Sequence, residues 1–161
     1  MTTLKTADLY DDYADNLTIA APIFRDYGKK KTFHGEIVTV KVFEDNVLVK
    51  QKLGEDGSDK VLVVDGGGSL RCALMGDNLA ALAIKNNWAG LVIYGCIRDA
   101  ADIGAMEIGV KALNTIPAKS IKKGEGDINI PVSFAGLTFK PGDFIYADED
   151  GIVVAEELLK L

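Results

Sequence analysis

The stretch VLVVDGGGS at residues 61–69 decides the fold class of this chain. Its first four residues form a continuous apolar run, which is typical of a β-strand covered on both faces. The run LVIY at residues 91–94 has the same character, and the apolar residues between Asp77 and Asn87 have the spacing of a helix. One helix and one strand bring the chain back to the same end of the sheet, so this order predicts an α/β fold.

The sequence before and between these runs predicts further elements. A helix capped by Thr6 is expected near the N-terminus, because acidic residues follow it in the first turn. Apolar periodicity predicts strands at residues 35–43 and 108–113. Short helices are expected near residues 47–53 and 98–105.

The C-terminal part has a different pattern of short apolar runs. Turn residues separate them, for example Pro141-Gly142 and Asp150-Gly151. The runs lie at residues 132–134, 137–139, 144–146 and 152–154. We expect these four strands to form a β meander, which completes a layered α/β sandwich in a single domain of residues 1–161.

The composition limits the class of protein and its partners. The 161 residues are 48% hydrophobic and 26% charged, which suits one globular domain and argues against disorder. The formal net charge is −6, and Lys29-Lys30-Lys31 is a short basic run. Because phosphate binding needs a basic face, we expect no direct contact with nucleic acid. We find no apolar region of a signal peptide and no apolar stretch of about 20 residues, so we expect a soluble, cytoplasmic protein without a membrane span.

Three features that often carry chemistry are interpreted as structural. Cys72 and Cys96 lie in apolar surroundings at a spacing that fits no zinc pattern, so we expect buried, reduced thiols. His34 is the single histidine and cannot supply the paired imidazoles of a zinc site. The loop at residues 65–69 lacks the G-x-G-x-x-G and GK[ST] spacings, which favours a tight turn with positive φ over a phosphate site.

Four polar residues fall at one end of the predicted sheet. Asp77 opens a helix, Arg98 and Asp99 follow the strand of residues 91–94, and Asp102 lies one helical turn after Asp99. Ligands of α/β sheets bind beyond the carboxyl ends of the strands, where helix N-termini also gather. The backbone N–H groups at the start of this helix are therefore expected to be donors for a carboxylate or phosphate. They belong to Gly76, Asp77, Asn78 and Leu79.

Each of these residues also has an ordinary structural interpretation. Asp77 suits a first-turn or capping position whether or not a ligand is present, and Asp99 could be another N-terminal helix acid. Arg98 and Asp102 have the i, i+4 spacing of a surface ion pair, which is common and worth only about 0.3–0.5 kcal/mol. The candidate site rests on the occurrence of all four residues at one end of one sheet.

Segments along the whole chain resemble the family of the regulator of ribonuclease E activity A. They are residues 33–35, 39–46, 63–69, Arg71 with Ala73-Leu74, 76–80, 90–95 and 142–152. The resemblance implies a β/β/α sandwich like the phosphohistidine (swivelling) domain of pyruvate-utilising kinases. It also implies assembly as a homotrimeric ring.

The same family includes 4-hydroxy-4-methyl-2-oxoglutarate aldolases. They are marked by an aspartate, twenty residues, Arg-Asp, two residues and an acid, and Asp77, Arg98, Asp99 and Asp102 match this motif completely. The inhibitor prototype of the family lacks the aspartate after the arginine. The resemblance thus implies an aldolase. From the enolate chemistry we expect it to be metal-dependent (class II) and also to decarboxylate oxaloacetate. The alternative is a non-catalytic regulator that binds and inhibits ribonuclease E.

The expected chemistry assigns a role to each residue of the motif. Cleavage of a 4-hydroxy-2-oxo acid leaves a pyruvate enolate, whose charge a divalent cation and an arginine can both stabilise. A lysine Schiff base is the other solution, but no lysine is placed with the cluster except Lys85, which lies on the far part of the helix. Without a histidine pair the metal ligands must be oxygen atoms, which favours Mg²⁺ or Mn²⁺.

In this scheme Asp99 binds the metal, directly or through water. Arg98 binds the carboxylate or keto oxygen of the 2-oxo acid, because its planar fork suits both groups. The backbone of residues 76–79 receives the substrate carboxylate. Asp77 or Asp102 orients the water that moves the proton.

Overall fold

The computed structural model describes residues 3–161. Helices α1 to α4 span Thr6–Tyr13, Val47–Leu53, Asp77–Lys85 and Ala100–Gly104. Strands β1 to β12 span Leu17–Ile19, Arg25–Tyr27, Phe33–Lys41, Lys60–Asp65, Ala73–Met75, Gly90–Ile97, Val110–Thr115, Asp127–Ile128, Val132–Phe134, Leu137–Phe139, Phe144–Asp148 and Gly151–Ala155. Across residues 3–161, no helix is both long enough and apolar enough to cross a membrane.

The predicted strand, helix and strand at the centre of the chain are confirmed as β4, α3 and β6. They belong to a 10-stranded sheet with the order β1-β12-β11-β3-β4-β6-β7-β2, in which β5 also pairs with β6 and β8 with β3. The neighbours β3, β4, β6 and β7 are parallel. Because parallel strands end at the same edge of a sheet, the loops after β4 and β6 emerge together.

The central strands are buried on both faces, as their continuous apolar runs predict. Leu62 and Val64 of β4 pack against the buried residues of α2, α3 and α4. Val61 and Val63 pack on the opposite face with the β9–β10 hairpin, where the rings of Phe134 and Phe139 stack with centroids 4.4 Å apart. The molecule is thus a mixed α/β domain with helices on one face of a large sheet and a small sheet on the other. The likeness to a phosphohistidine domain stays a prediction.

The start of α1 differs from the prediction. Thr6 is the first helical residue, after Lys5 at the N-cap position, and does not cap the helix with its own side chain. Its N–H and its Oγ1 instead donate to the two carboxylate oxygens of Asp148, at 2.8 and 2.7 Å. A buried carboxylate at the end of β11 therefore caps a helix that lies 142 residues earlier in the chain.

The C-terminal strands lie where they were predicted, but the predicted meander is wrong. β9 and β10 pair with each other in a separate two-stranded sheet, whereas β11 and β12 form a hairpin within the large sheet. β11 also pairs with β3 from the first half of the chain. The turn residues Pro141-Gly142 mark the end of a strand correctly, but they do not determine which partner the next strand joins.

Candidate active site

The candidate site forms where β5 and β6 end side by side. β6 continues to Ile97, beyond the predicted residues 91–94, and the short strand β5 pairs with its last residues. The N–H of Arg98 donates to the C=O of Met75 at 2.9 Å. This pairing places Gly76 and Asp77, at the start of α3, beside Arg98 and Asp99.

The Asp99 carboxylate is held against the N-terminus of α3. Asp99 has a left-handed backbone (φ 58°, ψ 41°) and is the N-cap residue of α4, a conformation that aspartate adopts more readily than most residues. Its C=O accepts the N–H of Ile103 at 2.9 Å. Its Oδ2 accepts the N–H of Asp77 at 3.0 Å. The carboxylate therefore lies at the positive end of the α3 dipole, which stabilises negative charge.

Arg98 presents an exposed guanidinium next to this carboxylate. Its Nη1 donates to the C=O of Pro117 at 3.3 Å. The i, i+4 ion pair with Asp102 is not formed, since no salt bridge of 4.0 Å or less joins these two residues in the described part of the chain. Because a guanidinium has five N–H groups in a planar fork, most of its donors remain for an anion.

The backbone N–H groups at the start of α3 and the side chain of Asp102 complete the set of predicted site residues. The N–H of Asp77 is not a free donor, because Asp99 accepts it. The N–H groups of Asn78 and Leu79 lie in the first turn of α3, where a helix offers no internal acceptor. Together with the N–H of Gly76, which has no acceptor among residues 3–161, they are the donors left for a carboxylate. Asp102 is exposed on α4, one turn beyond Asp99, and its carboxylate has no hydrogen-bond partner among residues 3–161.

The side chains at the site restrict the kind of metal that it could hold. Within residues 3–161, no group of three or more His, Cys, Asp or Glu side chains is arranged to hold a metal ion. A closed zinc site needs such a group. Mg²⁺ is commonly held by one or two carboxylates, with waters and ligand oxygens completing the shell. The exposed Asp99 carboxylate fits this second type, so a hard cation is compatible with the residues present and stays a prediction.

Two clefts lie away from the candidate site. One, of about 250 Å³, is lined by residues that include Glu36, Lys52 and Trp88. The other, of about 370 Å³, is lined by residues that include His34 and Phe144. The residues of the candidate site line neither cleft.

The glycine loop after β4 is a tight turn, as predicted. Gly67 and Gly68 have φ values of 68° and 72°, which favour glycine. A Cβ at Gly67 would lie 2.7 Å from the ring of Phe43, and one at Gly68 would lie 3.0 Å from the ring of Tyr94. The loop therefore packs closely against aromatic side chains of the protein.

The predictions for the cysteines and the histidine are consistent with the structure. Cys72 and Cys96 are both buried and free, and burial raises the pKa of each thiol. His34 stacks on Tyr146 with ring centroids 5.6 Å apart. Burial, with a smaller contribution from Lys30, lowers the pKa of the His34 imidazole. None of the three residues belongs to the candidate site.

A bidentate ion pair just before β5 was not predicted from the sequence. Arg71 donates to both carboxylate oxygens of Glu44, at 2.6 and 2.9 Å, and Ser69 Oγ donates to Glu44 Oε2 at 2.5 Å. The Arg71 guanidinium also lies 5.8 Å from the ring centroid of Phe43. The partners are 27 residues apart, so no local pattern could reveal the pair. Arg71 is therefore engaged by Glu44, whereas Arg98 keeps most of its donors.

Comparison with known proteins identifies the family. The family model described as RraA-like, Aldolase/RraA, matches residues 6–154 of the chain. The chain belongs to the RraA-like family. A relative from Alkalilimnicola ehrlichii, which carries the provisional name 4-hydroxy-4-methyl-2-oxoglutarate aldolase, is 58% identical over 154 residues, or 96% of each chain.

Two solved structures of the family share the fold closely. One, from Geobacillus kaustophilus, is described as an S-adenosylmethionine:2-dimethylmenaquinone methyltransferase. It has 51% identity and a TM-score of 0.95, and the match covers 97% of each chain. The other, the RNA-processing inhibitor RraA from Thermus thermophilis, has 41% identity and a TM-score of 0.95 over 99% of this chain and 96% of its own. Since three different functions are attached to one fold, the function must be argued from the site.

Proposed function

We propose that the protein is a divalent-metal-dependent aldolase that cleaves 4-hydroxy-4-methyl-2-oxoglutarate into two molecules of pyruvate. The observation that carries the proposal is the position of the Asp99 carboxylate, 3.0 Å from the N–H of Asp77 and next in sequence to the exposed Arg98. The provisional aldolase name of the 58% identical relative supports the same activity.

The proposed reaction breaks the C3–C4 bond of the substrate. Removal of the proton from the 4-hydroxyl group converts C4 into the carbonyl carbon of one pyruvate. The electron pair of the broken bond passes to the 2-oxo group and forms the enolate of the second pyruvate, which is then protonated at C3. Oxaloacetate reaches the same enolate by losing CO₂, so we propose its decarboxylation as a side activity.

The residues of the site suit the charges of this reaction. Arg98 would bind the 2-oxo oxygen or the adjacent carboxylate, whose negative charge it balances. The N–H groups of Asn78 and Leu79 would receive a substrate carboxylate at the positive end of the α3 dipole. Asp77 or Asp102 would orient the water that carries the proton between the 4-hydroxyl group and C3.

Asp99 would hold the divalent cation. Its Oδ2 accepts the N–H of Asp77, so Oδ1 would be available to bind the cation. When bound, a divalent cation supplies Lewis-acid stabilisation of the developing enolate charge. A lone carboxylate ligand is compatible with Mg²⁺ or Mn²⁺, which keep several waters.

A coupled assay with lactate dehydrogenase tests the proposal by measuring pyruvate in the presence of Mg²⁺. We expect two pyruvates per molecule of 4-hydroxy-4-methyl-2-oxoglutarate and one per molecule of oxaloacetate. For Asp99→Asn we expect kcat/KM to fall at least about a hundredfold, which corresponds to about 2.7 kcal/mol of transition-state stabilisation. Asp127→Asn, which alters an exposed acid on β8, should keep full activity. The proposal fails if the wild type releases no pyruvate from either substrate, or if Asp99→Asn is as active as the wild type.

Inhibition of ribonuclease E is a second candidate function. It is favoured by the 0.95 TM-score and 41% identity to the RNA-processing inhibitor from Thermus thermophilis. The net charge of −6 suits a basic region of such a nuclease, so inhibition should weaken as salt is added.

The homotrimer implied by the family resemblance also remains a proposal, which light scattering of the purified protein would test.

A further inference from the structure

We propose that Gly76 is a positioning residue of this site. The absence of a side chain at this position allows the Asp99 carboxylate to reach the N–H of Asp77. The effect of Gly76 on activity rests on the proposed function, whereas its effect on the position of Asp99 does not.

The backbone of Gly76 does not itself require glycine. Gly76 precedes α3 with φ −124° and ψ −163°, an extended conformation that any residue adopts. Glycine is usually needed where φ is positive, as at Gly67 and Gly68. The reason for glycine at position 76 must therefore be space rather than backbone freedom.

The space is occupied by the Asp99 carboxylate. A Cβ built on Gly76 would lie 2.5 Å from Asp99 Oδ2, which is too short for any contact between a carbon and an oxygen atom. This is the same oxygen that accepts the N–H of Asp77. The next atoms, Cγ and Nε of Arg98, would lie at 3.4 and 3.6 Å, which are ordinary contacts.

The structure also indicates which group would give way. The backbone at Arg98 is fixed by the hydrogen bond to Met75, and the backbone at Asp99 by the hydrogen bond from Ile103, both at 2.9 Å. The Asp99 side chain is exposed, so it can rotate away. Any residue other than glycine at position 76 would therefore turn the carboxylate off the start of α3 while leaving the fold in place.

A thermal-stability cycle tests the contact without any ligand. We expect Gly76→Ala to lower the Tm by roughly 3–6 °C in the wild type, because the Asp77 N–H loses its acceptor. In a protein that carries Asp99→Gly, where glycine tolerates the positive φ, Gly76→Ala should lower the Tm by no more than about 1 °C. Gly104→Ala on α4, whose Cβ would meet nothing within 4 Å, is the matched control and should cause no loss in either background. An equal loss from Gly76→Ala in both backgrounds would overturn the proposal.

Binding of Mn²⁺ alone, measured by electron paramagnetic resonance, tests the functional consequence. We expect Gly76→Ala to bind Mn²⁺ at least tenfold more weakly and to lose at least a hundredfold in kcat/KM, with Gly104→Ala unchanged in both. Wild-type affinity in Gly76→Ala would show that the carboxylate has not moved and would contradict the proposal. If the wild type neither binds Mn²⁺ nor releases pyruvate, the proposed function fails, and the stability cycle alone decides the role of Gly76.

Discussion

Oδ2 of Asp99 accepts the backbone N–H of Asp77 at 3.0 Å, across 22 residues of sequence. This hydrogen bond joins the loop after β6 to the first turn of α3, so two members of the sequence motif meet through one backbone group and one side chain. A change in the Asp77 side chain leaves the bond possible, whereas a change at Asp99 removes it. The two aspartates should therefore differ in what their substitution does.

Arg98→Lys is expected to lower kcat/KM by at least about a hundredfold, or about 2.7 kcal/mol, because the ammonium keeps the charge but loses the planar fork. The Tm should stay unchanged, since the guanidinium is exposed and makes one long hydrogen bond, of 3.3 Å, to Pro117. Arg25→Lys, on the edge strand β2, is the control and should keep wild-type activity. An Arg98→Lys protein that unfolds at lower temperature would show instead that Arg98 is a structural residue.

Asp99→Asn should separate the two candidate functions. Asparagine tolerates the left-handed backbone at φ 58°, so the fold should be retained. Pyruvate release should be lost, because the proposed cation would lose its carboxylate ligand, while any inhibition of ribonuclease E through the acidic surface should remain. Both activities are measured on the same preparation at low salt. If the wild type inhibits the nuclease but releases no pyruvate, regulation becomes the primary function.

Asp148 should make the stability of α1 depend on pH. Burial alone would raise the pKa of this carboxyl, but hydrogen bonds from the Thr6 side chain, the Thr6 N–H and the Asp150 N–H outweigh burial and lower it. Because the folded-state pKa lies below the unfolded value of about 3.9, the stabilisation is complete above roughly pH 5 and is lost as pH falls through the folded-state pKa.

The free energy of unfolding of the wild type and of Asp148→Asn, measured from about pH 6 to about pH 2, tests this dependence. We expect Asp148→Asn to be less stable near neutral pH, by about 1–3 kcal/mol, and the difference to shrink as the pH falls. Glu149→Gln, an exposed neighbour, serves as the control. A difference that stays constant over the whole range would refute the linkage.

Lys111→Met should destabilise the protein more than an equivalent change at the surface. The buried Lys111 Nζ lies 2.7 Å from Asp26 Oδ1 and donates to the C=O of Asp148 at 2.5 Å. Loss of the ammonium leaves the partly buried Asp26 carboxylate without its partner. The free energy of unfolding, measured by chemical denaturation, should fall by about 1–3 kcal/mol. Lys29→Met removes an exposed ion pair with Glu107 and should lower the free energy of unfolding by only about 0–1 kcal/mol. Equal effects from the two variants would contradict this account.

Much of the fold follows from local pattern. The apolar runs at residues 61–64 and 91–94 fall on β4 and β6, and the helix between them begins at Asp77 as predicted. Long-range pairing was not predictable. Asp148 caps α1 from 142 residues away, and β11 pairs with β3 rather than with its neighbour β10. Such pairings depend on the packing of the whole domain and leave no signal in a local stretch of sequence.

The candidate site, like the fold, was only partly predictable from the sequence. The sequence placed Asp77, Arg98 and Asp99 at one end of the sheet, and the structure brings them together there. The short strand β5 was not predicted, since its three residues carry no periodicity, and yet it holds Gly76 against Asp99. The ion pair that the spacing of Arg98 and Asp102 allows is absent from the described residues, because helical spacing permits such a contact without requiring it.

Removal and return of the metal tests the central claim most directly. Pyruvate release from 4-hydroxy-4-methyl-2-oxoglutarate is measured on the purified wild type with Mg²⁺, after treatment with EDTA, and after Mg²⁺ or Mn²⁺ is restored. We expect release to fall to background with EDTA and to recover fully with either cation, whereas enzyme treated with borohydride in the presence of substrate and then freed of small molecules should keep its activity. Pyruvate release that survives EDTA, from an enzyme that is permanently inactivated by borohydride treatment with substrate, would contradict the account, since it would indicate a lysine imine in place of a metal.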